Sequence, residues 1–83
     1  MTNTERFETA LVDAYRELFT SNPEYACAAS TTTPEALAHK MTLGLKTGSA
    51  SKNGEGVNRA CRQCGIKQTY TAIRAFLEGF TIL

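Results

Sequence analysis

Phe7, Ala10, Leu11, Ala14, Tyr15, Leu18 and Phe19 recur at i, i+3, i+4, i+7, i+8, i+11 and i+12. Only a helix, at about 3.6 residues per turn, gathers such a series onto one face. The stripe predicts a long first helix whose apolar side must be covered by the rest of the chain. Thr4 is the expected N-cap, Glu5 and Glu8 suit the positive end of the helix dipole, and Ser21-Asn22-Pro23 ends the helix.

The same grammar of cap and proline recurs downstream. Asn22-Pro23 opens a short segment, PEYACAA, of about two turns. Thr33-Pro34-Glu35 opens a third helix running to about Thr47, with Leu37, Met41 and Leu45 as its expected stripe and Ala38 alongside. Residues 48–56, GSASKNGEG, read as a flexible loop. That loop lacks the Gly-Lys-Ser/Thr ending of a P-loop and follows no strand.

Val57, Ala60, Cys61 and Cys64 then mark a fourth helical face, with Gly65 as a left-handed terminator and Ile66 as its hydrophobic contact. A fifth helix is expected from about Gln68 to Glu78, with Tyr70, Ile73, Phe76, Leu77 and Phe80 inward and the tail Phe80-Thr81-Ile82-Leu83 docked. No segment alternates as a strand does. The expected fold is all-α, a small bundle of four to five short helices ending in a helix-turn-helix-like pair. It forms one domain over residues 1–83: capped helices at 1–47, the loop at 48–56 and a basic helix pair at 57–83.

Eighty-three residues, 42% hydrophobic and 20% charged, suit a single globular unit with a modest core. No apolar run reaches the roughly 18 residues of a membrane span, and the N-terminus lacks a secretory h-region, so a cytoplasmic location and no membrane partner are expected. The net charge of +1 conceals a division. Residues 1–36 carry two arginines against six carboxylates, whereas residues 37–83 carry seven lysines and arginines against two glutamates. A fold that keeps these halves apart presents a basic surface suited to phosphate; one that pairs them cancels it.

The basic surface centres on the C-terminal helix pair. A helix-turn-helix needs a small residue in its first helix, a glycine in the turn and an exposed polar face on its second helix. Ala60 or Cys61, Gly65 and the last helix fill those parts. Lys67 and Thr69 then suit phosphate, Gln68 and Arg74 suit base edges, Thr71 projects beside them, and Arg59 and Arg62 flank from the preceding helix. The register departs from the usual motif. Positions six and nine after the turn glycine, normally apolar, are Thr71 and Arg74, so either the turn is about two residues longer or the pair is an ordinary helical hairpin.

The cysteines support other chemistry weakly. Cys61-Arg62-Gln63-Cys64-Gly65 resembles half of a zinc knuckle, and Cys27 with His39 would complete four ligands. Cys27 and His39 stand twelve residues apart across a helix break, and Cys61 and Cys64 fall on the stripe needed for packing. Buried thiols are the simpler expectation. His39 is the sole histidine and belongs to no Ser/His/Asp or paired-carboxylate set, so neither catalysis nor a cofactor is expected.

The segment Ala60–Gly79, above all Gly65-Ile66-Lys67, Thr69-Tyr70 and Ala72-Ile73-Arg74-Ala75, resembles the C-terminal part of small uncharacterised phage and prophage proteins. The resemblance covers about a quarter of the chain and implies a phage origin rather than an activity. Three functions are open at this point. The first is a nucleic-acid-binding regulator or accessory factor, with DNA and a second copy of itself, as a homodimer, for partners. The second is a protein–protein module that inhibits or redirects a host complex. The third is a small zinc-stabilised domain.

Overall fold

The computed structural model describes residues 1–50 and 54–79. Five helices run through them: α1 (Asn3–Ser21), α2 (Ala26–Thr31), α3 (Pro34–Thr47), α4 (Glu55–Cys64) and α5 (Tyr70–Leu77), with a 3₁₀ turn over Pro23–Tyr25. The described residues include no strand, and the class is all-α.

The α1 stripe behaves as its spacing demands: Phe7, Ala10, Leu11, Ala14, Tyr15 and Leu18 are buried. Its cap, however, is Thr2 and not Thr4. The Thr2 hydroxyl accepts from the Glu5 amide at 3.1 Å, and the Glu5 carboxylate accepts from the Thr2 amide at 3.1 Å. A capping box needs its glutamate three residues after the cap, which Thr2 has and Thr4 lacks. The Thr2 backbone amide, and after it the Thr2 hydroxyl, hold the Glu5 carboxyl below the usual carboxylate range. Thr4 instead donates to the Leu77 carbonyl at 3.1 Å, joining the start of α1 to the end of α5.

α1 is the element on which the others pack, chiefly α3 and α4, with α5 closing against α3 and α1. The 3₁₀ turn and α2 bury none of their residues. α3 opens as expected, the Thr33 hydroxyl accepting from the Ala36 amide at 3.1 Å, and ends at left-handed Gly48. Its register differs from the expected stripe. Ala38, Thr42, Gly44 and Leu45 are the buried positions, while Leu37 and Met41 are only half-buried. Thr42 tolerates full burial because its hydroxyl donates to the Ala38 carbonyl at 2.8 Å, leaving no bare polar atom. Leu37 and Met41 are thereby turned out toward a surface cleft.

α4 begins at Glu55, so the last part of the expected 48–56 loop is helical, and residues 51–53 lie outside the described residues. Gly54 supplies no capping side chain, and the hydroxyl of Tyr25 accepts from the Gly56 amide at 3.2 Å instead. Gly56 lies flat against the Tyr15 ring: a Cβ built there would stand 2.9 Å from both Cδ1 and Cζ. At the other end, the Gly65 amide donates to Arg62 O and the Ile66 amide to Cys61 O, the two bonds of a Schellman motif, with Gly65 at φ 71° as expected. α5 buries Ala72, Ile73, Phe76 and Leu77. Phe80, Thr81, Ile82 and Leu83 lie outside the described residues, as does any docking of that tail.

Candidate nucleic-acid interface

The segment joining α4 to α5 is fixed at both ends and open between them. Behind it, the Schellman motif sets the chain direction, and half-buried Ile66 packs on the core. Ahead of it, the Thr69 hydroxyl accepts from the Ala72 amide at 3.2 Å and caps α5. Lys67, Gln68 and Thr69 are exposed on this bridge, and Thr71 and Arg74 are exposed on the first turns of α5.

The bridge spans Gly65 to Thr69, five residues against the three or four of a helix-turn-helix turn. That length accounts for the register noted in the sequence: Thr71 and Arg74 point outward, and Ile73, Phe76 and Leu77 take the inward positions. The two helices make their main contacts with α1 and α3 and not with each other.

Arg74 lines a shallow depression of about 360 Å³ with Tyr70, Thr71, Ala75 and Glu78. Tyr70 anchors its edge by donating to the Ala50 carbonyl. Neither Lys67 nor Arg74 forms an ion pair among the described residues. The Glu78 carboxylate lines the same depression as Arg74, and Lys67 stands outside it.

Arg59 and Arg62 are placed differently. Glu55 accepts from Arg59 Nε at 3.2 Å and from Arg62 Nη2 at 3.2 Å, and Glu17 of α1 approaches Arg59 Nη1 to 3.4 Å. Hydrogen bonds from Arg59 and then Arg62 hold the Glu55 carboxyl below the usual range, so it stays ionised through neutral pH and keeps both guanidiniums occupied. Of the cations named from the sequence, the fold leaves Lys67 and Arg74 uncancelled and neutralises the other two. The signal was present in the sequence as the spacing of Glu55, Arg59 and Arg62 along one helix face.

The two halves also meet at His39, whose Nδ1 lies 3.1 Å from Glu8 Oε1, and within the acidic half Arg16 Nε lies 3.5 Å from Glu35 Oε1. Arg6 is held otherwise, its guanidinium 5.5 Å from the Phe76 ring centre.

The four residues of the zinc set do not converge. Cys27 is exposed on α2, His39 faces Glu8, Cys61 is buried in α4, and Cys64 is half-buried with Sγ 4.0 Å from the Arg6 carbonyl. No group of three or more potential ligands forms among the described residues. Burial pushes the Cys64 thiol above its usual range, which suits a packing role better than a reactive one. Among the described residues, no helix is long and apolar enough to cross a membrane. No family model, curated protein or solved structure matches this chain.

Proposed function

We propose that the protein is a small non-catalytic nucleic-acid-binding factor, of the regulator or accessory type found in phages, that contacts phosphate through the bridge and first turns of α5. The observation that carries this reading is the exposure of Lys67, Gln68, Thr69, Thr71 and Arg74 as one short stretch whose two cations lack ion-pair partners among the described residues. Lys67 and Arg74 supply charge, and the hydroxyls and amide of Thr69, Thr71 and Gln68 supply hydrogen bonds to phosphate or base edges.

Two phosphate contacts predict a shallow salt dependence. On a duplex, log K against log salt has a slope of about −0.9 per contact, so about −1.8 here, or roughly a tenfold loss for a fourfold rise in salt. Fluorescence anisotropy of labelled duplex and single-stranded oligonucleotides measures it directly. Neutralising Lys67 or Arg74 to Ala should each remove about half the slope. Absence of any complex at low ionic strength, on either strand form, overturns the reading.

Glu55→Gln supplies a second prediction. Arg62 loses its only carboxylate partner among the described residues and becomes available to phosphate, whereas Arg59 keeps Glu17. Binding should tighten and the duplex slope should steepen toward about −2.7. An unchanged slope would show that Arg62 lies off the contact face.

The cancellation of Arg59 and Arg62 favours a second reading, a module that binds a host protein. It predicts a stoichiometric protein complex, insensitive to Lys67→Ala and Arg74→Ala, in place of salt-dependent nucleic-acid binding.

A further inference from the structure

The outward turn of Leu37 and Met41 leaves a cleft of about 450 Å³ between α3, the C-terminal half of α1 and the 3₁₀ turn. Its walls are mostly apolar: the rings of Tyr15 and Tyr25 on one side, Leu37 and Met41 on the other, and Ala50 beyond them. Tyr15 and Tyr25 pack with Phe19 in a three-ring cluster with centroids 5.8 to 6.0 Å apart, which makes that wall rigid. Volume and lining are those of a site for a small ligand.

Two polar groups of the cleft select the ligand. Tyr15 is only 3% exposed as a residue, and because no buried polar side-chain atom lacks a partner, its hydroxyl, which has none among the described residues, is the tip that reaches solvent. The hydroxyls of the other two tyrosines are engaged, Tyr25 by the Gly56 amide and Tyr70 by the Ala50 carbonyl. Burial pushes the Tyr15 phenol well above its usual range, so it remains a proton donor at neutral pH. Lys40 is exposed on the cleft wall and forms no ion pair among the described residues. A hydroxyl donor among apolar walls, with a cation at the edge, matches a molecule with an apolar body and an anionic acceptor.

We propose that this cleft binds a small apolar carboxylate, its hydrocarbon body against Leu37, Met41 and the tyrosine rings and its carboxylate accepting from Tyr15 and facing Lys40. The site is separate from the bridge at Lys67–Arg74 and does not depend on the function proposed for it.

Titration with octanoate, followed through the side-chain methyl resonances of Leu37 and Met41, tests the assignment, with octanol as the uncharged comparator. Octanoate should give saturable shifts confined to the cleft and should bind about tenfold more tightly than octanol, the worth of one charge-assisted hydrogen bond. Lys40→Gln, a surface change that leaves the core intact, should shrink that preference. Tyr15→Phe should weaken octanoate binding about tenfold while the dispersed spectrum of the folded protein persists. Absence of saturable shifts, equal affinity for acid and alcohol, or octanoate binding unaffected by both substitutions overturns the proposal. So do the same shifts arising on concentrating the protein alone, which would make a second copy of the chain the occupant.

Discussion

Gly56→Ala should destabilise the protein by about 1–3 kcal/mol, the range for overpacking a filled core. In an unobstructed helix the same change would stabilise by up to about 1 kcal/mol, because alanine is the better helix former. The sign of the effect therefore decides the question. The added Cβ would run into the face of the Tyr15 ring, against Cε1, Cδ1 and Cζ. That ring cannot swing aside cheaply, being almost fully buried and packed on Phe19 and Tyr25. Urea denaturation of the single variant and of the Tyr15→Leu, Gly56→Ala pair measures it. The glycine substitution should cost less when the ring is absent, a coupling confined to residues in contact. Stabilisation by Gly56→Ala in the otherwise unaltered protein would mean that α4 does not approach α1 as closely as described.

A larger loss is expected for Phe7→Ala. Phe7 is fully buried near the start of α1, and truncating a core phenylalanine costs about 3–5 kcal/mol. Domains of this length have about 4–12 kcal/mol in all, so the variant should lie near the edge of folding, with its thermal midpoint lowered by tens of degrees. Leu43, 48% exposed on α3, provides the comparison: its alanine variant should stay within about 0.5 kcal/mol of the unaltered protein. Equal effects at the two positions would remove Phe7 from the core.

Features of the fold that depend on neighbours in sequence were legible before any coordinates. The caps at Thr33-Pro34 and Gly65-Ile66 involve atoms within one turn, and both form where the residues place them. The α1 stripe is long enough that its period admits one face. What could not be read was set by partners distant along the chain. Hydropathy alone ranks Met41 above Thr42 for burial, yet the backbone acceptor at Ala38 makes the threonine the better core residue. The capping of α4 by Tyr25 spans thirty-one positions and leaves no local sign.

The candidate interface divides in the same way. Exposure at Lys67 and Arg74 followed from the helix grammar around them, and the hold of Glu55 on Arg59 and Arg62 from their spacing within α4, whereas the contact of Arg59 with Glu17 required the packing of α4 on α1. A tally of charge by halves of the chain treats every cation as equal. Distances of 3.2 to 3.4 Å to carboxylates show that they are not.

The shared wall provided by α1 has a consequence for how the molecule comes apart. α3, α4 and α5 each lean on it, and Thr4 fastens its first turn to the last turn of α5. No group of helices can separate as a smaller folded body, because each would leave with only part of a core. Breathing motions that release α1 therefore release everything, and the basic bridge keeps its shape only while the acidic first helix is in place.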